Sequence, residues 1–463
     1  MNLPAEVVLN AWTGDEAAHG DLDANALNWG SRKRGLPHSQ AVLEIERPAD
    51  PTCWAHPNVG YGVLLPEPAD PHLSNADRAG GVDAPQAVRD LIAARPGTVL
   101  LRWSPELGSR FLRRYFPDGT SQDSAIGLTA FGVGRSRLPM YVVIVAGPDT
   151  IPWSVQYALG TRHAVGRLPL AGEALANYVR AMLSDWKDAP ANACHALMWT
   201  VDHGSGDITA EMRAVIAQPL ATALTPPPLS RLSELTHATA SGAALVDELS
   251  ATCPVLVVTS SHGHTWPLND PRTMRNTLGL PVDIIHNPLP LAELNDAMPG
   301  GAVWYAQACC SAGADATSHY TGLLRPGTTA FSVTSAVAAL GSMVAPAAMC
   351  MLGRTNPVRA VFGHVEPTFN WTLRVQETGQ GLGQRIVSAL SSHLFSGQPL
   401  GYTFAEYRAD VGTLHTQWTD CYNRLANGDT SVEETMTRLR LTALDRQSLV
   451  LLGDPTVALL ALV

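Results

Sequence analysis

The sequence predicts an α/β protein, a mostly parallel sheet with helices on both faces. Three observations carry that prediction. Short β-branched and aromatic runs recur at Val99–Trp103, Tyr141–Ala146, Ala196–Val201, Val255–Ser261 and Ala302–Ala306. They lack an alternating polar face, so they read as strands buried on both sides. Between them lie stretches of helical period, as in Gly172–Trp186, where Leu175, Tyr178, Val179, Met182 and Leu183 share one face. Sharp breakers such as Gly147-Pro148-Asp149 end the runs. Strands alternating with helices give a parallel sheet.

The elements follow in order. Residues 1–97 are rich in Pro, Gly, Asp and Asn and form a loop-rich N-terminal segment, with a strand at Tyr61–Leu65 and a helix at Pro85–Ala94. From 98 the alternation begins, and Ala164–Leu168 adds a short run. A helix is predicted over Thr209–Leu224, and Pro226-Pro227-Pro228 makes a rigid break. Residues 98–228 and 229–463 then form two α/β halves. In the second, Ala243–Leu249 and Pro290–Met298 read as helices, Thr328–Thr334 as a strand, and Arg359–Phe362 as a strand running into Gly363-His364-Val365-Glu366. Helices follow near Asn370–Gln376, over Gly383–Leu394 and over Phe404–Leu425; Ser431-x-x-Glu434 reads as a capping box. The two apolar runs around Gly453-Asp454-Pro455 read as a closing β-hairpin.

Composition excludes several functions. Of 463 residues, 46% are hydrophobic and 16% charged, which suits large buried cores. A net charge of -10 argues against a nucleic-acid partner, and Arg32-Lys33-Arg34 is a single short basic cluster. The seven cysteines are scattered, with no Cys-x-x-Cys pair, so neither a zinc site nor a disulfide scaffold is indicated. His286, His319, His393 and His415 show no ligand spacing, so no metal and no cofactor are expected. The start shows no signal-peptide pattern and no run reaches membrane-spanning length, so the expected location is the cytoplasm, with no membrane partner.

Chemistry concentrates between Val255 and Gly313. The first buried run ends in Ser261-His262-Gly263-His264, and the second in Gln307-Ala308-Cys309-Cys310-Ser311-Ala312-Gly313. A βαβ unit sets both tips on the carboxyl edge of the sheet, where open α/β sheets build their sites. A thiol must lose its proton to attack, and an imidazole beside it can take that proton. Gly263 lets a substrate approach and offers an N–H to an oxyanion. His203-Gly204 also follows an apolar run, without an Ala-Cys tip in the same unit, and reads as structural; His264 reads as a loop residue.

The tripeptide Gln307-Ala308-Cys309 resembles the caspase signature, whose histidine lies roughly 50 residues upstream. Here His262 lies 47 positions before the cysteine (309 minus 262), while Cys310 and Ser311 depart from the caspase pattern. The two tips look like the His and Cys motifs of bacterial caspase-like (clan CD) peptidases of the gingipain and CHAT type. Tyr141–Pro152, Ala164–Arg167, Gly363–Glu366 and Leu451–Pro455 are also similar to segments of that group, so the likeness covers about 98–463. It implies a caspase-like αβα fold with two side-by-side subdomains, the second carrying the dyad. It implies a cysteine endopeptidase with Cys309 as nucleophile, His262 as acid/base and the Gly263 amide in the oxyanion hole. It further implies a protein substrate and an activating or regulatory protein partner. Residues near the dyad line the P1 pocket in this group, which puts Asp315, Glu366 and His364 forward as substrate-binding residues. The competing reading is a catalytically silent scaffold or protein-binding module on the same fold. A Gly-x-Ser-x-Gly elbow and a P-loop are both missing from the sequence, which disfavours other hydrolase and transferase chemistries.

Overall fold

The computed structural model describes residues 6–12, 17–21, 49–225, 229, 231–369, 372–375 and 378–461. The chain divides into two compact units, Met1–Ala49 and Asp50–Val463. In the first, Glu6–Trp12 pairs antiparallel with Ala17–Asp21. The Arg32-Lys33-Arg34 cluster, the Pro226-Pro227-Pro228 break and part of the helix expected at 370–376 lie outside the described residues.

The second unit is built on one 12-stranded sheet. Its strands in chain order are β1 (Tyr61–Pro66), β2 (Val99–Trp103), β3 (Phe111–Tyr115), β4 (Ser121–Ala125), β5 (Tyr141–Ile144) and β6 (Ala164–Arg167). They continue as β7 (Asn192–Thr200), β8 (Arg231–Thr236), β9 (Pro254–Ser260), β10 (Val303–Gln307), β11 (Ala360–His364) and β12 (Leu449–Gly453). The spatial order is β8-β7-β9-β10-β11-β12-β6-β5-β1-β2-β3-β4. From β8 to β11 all neighbours are parallel. The run from β12 through β6, β5 and β1 to β2 is parallel too. Antiparallel pairing occurs between β11 and β12 and at the far edge, β2-β3-β4. The α/β, mostly parallel expectation therefore holds.

Two sets of helices flank the sheet. One packs in sequence through Gln86–Ala94, Gly172–Leu183, Pro346–Gly353, Leu291–Ala297 and Gly242–Thr252. The other joins Gln218–Leu224, Gln384–Ser388, Ala405–Ala426 and Glu433–Gln447. With helices packed around it, a strand needs no polar face, and every residue of β9 and β10 is buried. Each fully buried Val or Leu contributes about 1.5–3 kcal/mol relative to exposure.

Strand β12 ties the two halves together. It pairs antiparallel with β11 on one side, Val361 opposite Leu452, and parallel with β6 on the other, Arg167 opposite Leu452. A Cβ on Gly166 would sit 2.2 Å from the Gly453 carbonyl oxygen, so the crossing needs glycine there. Polar bonds fasten the same seam: Tyr61 Oη donates to Asp454 at 2.5 Å, the Asp454 N–H donates to Tyr178 Oη at 2.8 Å, and Tyr178 Oη donates to the Arg359 carbonyl at 2.7 Å. The closing β-hairpin is therefore corrected. Leu449–Gly453 is an interior strand, and described residues after it form no second one.

Two local readings are also corrected. Thr328–Thr334 is not a strand: Thr328 caps a helix over Thr329–Ala338, and the Thr334 hydroxyl bonds back to the carbonyls of Ala330 and Phe331. That back-bond satisfies a β-branched hydroxyl inside a helix. Ser431 is not the cap; the Asp429 carboxylate accepts from the Ser431 N–H and hydroxyl, and the helix runs over Glu433–Gln447. Strand β7 was expected with the first half, yet it lies between β8 and β9.

Candidate active site

The tips of β9 and β10 are neighbours. Ser260 pairs with Gln307, and the Ser261 N–H donates to the Gln307 carbonyl at 3.2 Å. His262-Gly263 and Ala308-Cys309 therefore leave the sheet side by side.

The loop after β10 is pinned from several directions. Ser311 Oγ donates to the Ala306 and Ala308 carbonyls at 2.9 Å and accepts the His364 N–H at 3.0 Å. The Cys310 N–H donates to the Glu366 carbonyl at 3.2 Å and the Ala312 N–H to the His364 carbonyl at 2.8 Å. Cys310 takes a left-handed backbone, φ 56°. Both cysteines adjoin one apolar cluster, at different depths. Cys310 is fully buried among Met274, Leu278, Val337 and Leu340, whereas Cys309 is half-buried.

Gly263 lies directly on Cys309. A Cβ at 263 would stand 1.9 Å from the Cys309 carbonyl oxygen and 2.9 Å from its nitrogen. Two bonds bracket Gly263 against Pro281, His264 N–H to Leu280 at 2.9 Å and Val282 N–H to His262 at 3.1 Å. In that antiparallel geometry the bracketed residue turns its own N–H away from the partner. Neither the Gly263 nor the Cys309 N–H meets a carbonyl among the described residues. The Gly263 N–H is thus unspent on the backbone, while the Cys309 N–H is turned to its own thiol.

Cys309 Sγ accepts from the Thr368 N–H at 3.3 Å, with the Thr368 hydroxyl at 3.8 Å. Burial pushes the thiol up from its usual value, and the Thr368 backbone and hydroxyl donors oppose that rise. The resting group is therefore a thiol that needs a base.

His262 has a partner that sequence reading missed. Its Nε2 lies 2.9 Å from Asp207 Oδ2, across 55 positions of chain. An ionised carboxylate only accepts, so Nε2 carries the hydrogen and Nδ1 is left as the basic nitrogen. Asp207 is also the N-cap of the helix Ile208–Met212, accepting the Thr209 N–H at 2.8 Å and the Thr209 hydroxyl at 2.5 Å. Burial alone would raise the Asp207 carboxyl; the Thr209 donors and the His262 ring outweigh it and hold the group below the usual carboxylate range. The Asp-x-Thr cap was readable in the sequence, its meeting with His262 was not.

A cleft of about 810 Å³ opens beside Asp207, with neither His262 nor Cys309 among its lining residues. Asp207 and Thr368 line it, with Glu211, Arg374, Val333 and Phe369 among the others; Arg374 Nε and Glu211 meet at 2.9 Å. Asp315, Glu366 and His364 do not line it. Asp315 accepts from the Ser342 hydroxyl at 2.7 Å and the Ala316 N–H at 2.8 Å. Glu366 is buried and holds His319 at 2.7 Å, which raises the His319 ring above its usual value. His364 is buried beneath the sheet edge, its Nδ1 3.1 Å from Ser448 Oγ, and burial lowers its ring to about 4.

His203 and His286 join His262 unexpectedly. The His203 ring stacks on His262 at 5.5 Å between centroids and on His286 at 4.1 Å. His264 is turned aside, its N–H on Leu280 and burial lowering its ring. Among the described residues no group of His, Cys, Asp and Glu is arranged to hold a metal, and no helix is long and apolar enough to cross a membrane.

No family model and no curated protein matches the sequence. Among solved structures the chain is similar to the Arg-specific cysteine proteinase gingipain R, at 11% identity over 87% of this chain and 79% of that one, with TM-score 0.45. It is also similar to the complex of Porphyromonas gingivalis RgpB pro- and mature domains, at 10% identity over 86% and 80%, TM-score 0.43. A third likeness is to the Saccharomyces cerevisiae separase–securin complex, at 12% identity over 73% of this chain and 16% of that one, TM-score 0.34.

Proposed function

We propose that the chain is a caspase-like cysteine endopeptidase of the gingipain/CHAT type, acting on a protein substrate through Cys309 and His262. The reading rests above all on His262, held by Asp207 on one nitrogen, standing at the strand tip beside Cys309. In this reading His262 Nδ1 takes the Cys309 proton as sulfur attacks the scissile carbonyl carbon. The carbonyl oxygen gains the displaced electron pair and is met by the Gly263 N–H. The imidazolium, steadied by Asp207, gives its proton to the leaving amine, and a thioester to Cys309 remains. Water, deprotonated by the same imidazole, hydrolyses that thioester and restores the thiol.

Thr368 supports the thiolate as it forms, and the cleft lined by Asp207 and Thr368 takes the peptide. Asp315, Glu366 and His364 stay in the proposal as residues near the dyad that shape the substrate site through the loops they hold. The proposed division keeps a catalytic subdomain at 229–463 and a non-catalytic one at 98–228; of 1–97, Tyr61–Pro66 runs inside the shared sheet. Asp207 comes from the non-catalytic range, so the two ranges share one site. A protein partner that switches the enzyme on, in the cytoplasm, completes the reading.

A thiol-reactive peptide probe tests it. The expected result is labelling of Cys309, lost in Cys309→Ala and strongly slowed in His262→Ala. A folded protein that takes no label, and cleaves no peptide library, is a silent scaffold.

A further inference from the structure

We propose that His203 and His286 are positioning residues, a column of stacked imidazoles that fixes the His262 ring for proton transfer. The inference deepens the peptidase reading and rests on it for its catalytic consequence.

A histidine held by one hydrogen bond is only partly fixed. Rotation about its Cβ–Cγ bond is broad and nearly two-fold. Turning the His262 ring would exchange the nitrogen facing Asp207 for a carbon edge. A flat group on the ring face blocks that turn, because the rotating edge would sweep into it. His203 is such a group, 5.5 Å from His262 between centroids and 16° from parallel. His286 backs His203 at 4.1 Å and 10°. The 5.5 Å pair lies in the range that offset-stacked aromatic rings prefer, and the 4.1 Å pair is closer still.

The column is anchored at both ends. The His203 N–H donates to Thr209 Oγ1 at 3.0 Å, and that hydroxyl donates to Asp207 Oδ1 at 2.5 Å. One helix cap therefore places the carboxylate that holds the His262 edge and the ring that covers its face. Thr209 is fully buried. At the outer end His286 is exposed and has a left-handed backbone, φ 64°. Its loop is gathered on the buried Asp283, whose Oδ1 accepts the Ile285 and Asn287 N–H groups at 3.0 and 2.9 Å and whose Oδ2 accepts the Gly242 N–H at 3.1 Å.

His203 Nε2 is buried without a hydrogen-bond partner. The ring is thus kept for its flat face rather than for a polar contact. Burial first, then the neighbouring His286 and His262 rings, push His203 below its usual value, with Asp207 and Asp202 opposing. A neutral His203 can lie against a His262 that becomes charged during turnover. Arg213 is drawn off by Asp202 at 3.3 Å and His237 at 3.2 Å.

The test is nitrogen NMR of the ¹⁵N-histidine-labelled full chain at pH 8, with His262→Gln used to assign the signals. In the wild type His262 should show one protonated and one bare ring nitrogen. His203→Ala should average the two, and His203→Phe, which restores a flat face without a ring nitrogen, should keep them distinct. The accompanying change in kcat for His203→Ala is a loss of about tenfold or more with KM held, recovered in His203→Phe. His286→Ala, altered at an exposed position, should shift the same two signals toward each other and covers the case in which His203→Ala does not fold. Distinct His262 nitrogens in both alanine variants would overturn the proposal, as would averaging in His203→Phe. A wild type with distinct nitrogens that neither labels at Cys309 nor cleaves peptides overturns the peptidase reading and leaves the column standing.

Discussion

The Thr368 N–H reaches Cys309 Sγ at 3.3 Å from a loop 59 positions further along the chain. The proposed nucleophile thus already has one donor aimed at it before any substrate arrives. Because burial still holds the thiol above its ordinary value, its iodoacetamide alkylation should keep rising with pH beyond the point where an unburied cysteine levels off. Alkylation that plateaus at or below the ordinary thiol value would show a thiolate stabilised in the resting site.

The two adjacent cysteines should separate cleanly. Cys309→Ala is expected to abolish labelling and cleavage. Cys310→Ala removes a buried sulfur from the Met274, Leu278, Val337 and Leu340 cluster, and should cost about 1 kcal/mol of stability while leaving most activity. Mass mapping of the labelled peptide, with thermal melts of both variants, checks this. Loss of labelling in the Cys310 variant alone would shift the nucleophile by one position.

Asp207→Asn keeps a good N-cap and removes the charge facing His262. We expect kcat/KM to fall at least about 10²-fold with little change in melting temperature. Full turnover in a folded Asp207→Asn protein would reduce Asp207 to a structural cap.

Gly263→Ala puts a Cβ 1.9 Å from the Cys309 carbonyl oxygen. The strand tips must part, so activity should vanish and stability drop by about 1–3 kcal/mol. An active Gly263→Ala enzyme would mean the two tips are not in contact in solution.

Asp445, outside the proposed dyad although its charge is felt at Cys309, offers a pH test of stability. Burial pushes its carboxyl up to about 7, against an ordinary 3.8, and its Oδ1 has no partner. Between those values the folded protein keeps a proton that the unfolded chain has released. Its contribution to stability therefore falls as pH rises through the window. Asp445→Asn should raise the melting temperature by several degrees at pH 8 and change little at pH 4. A lower melting temperature at pH 8 would show that the ionised group is paired.

Sequence reading reached the sheet, the two site strands and the second of the two helices between them, because β9 and β10 are unbroken apolar runs and Leu291–Ala297 is a periodic stretch, whereas the helix over Pro271–Thr277 was missed. It failed where local pattern and tertiary setting diverge. Thr328, Thr329, Val333 and Thr334 look like strand residues, yet Thr328 serves as a cap and Thr334 bonds back along a helix. Leu449–Gly453 has the same composition in a hairpin as in a sheet interior, and its neighbours β6 and β11 are distant in sequence. Asp207 and His203 escaped for a related reason. Strand β7, which carries the chain to them, was read with the first half, while it pairs with β9, the strand that leads to His262.

The interior place of β12 bears on biosynthesis. A chain leaves the ribosome from its N-terminus onward, so both proposed catalytic strands emerge long before residues 449–453. Until then β11 and β6 each hold an open edge facing the other, and the nascent molecule is two unjoined half-sheets exposed to other chains. Sealing waits for residues 449–453, so the two half-sheets join only after both proposed catalytic strands have been made.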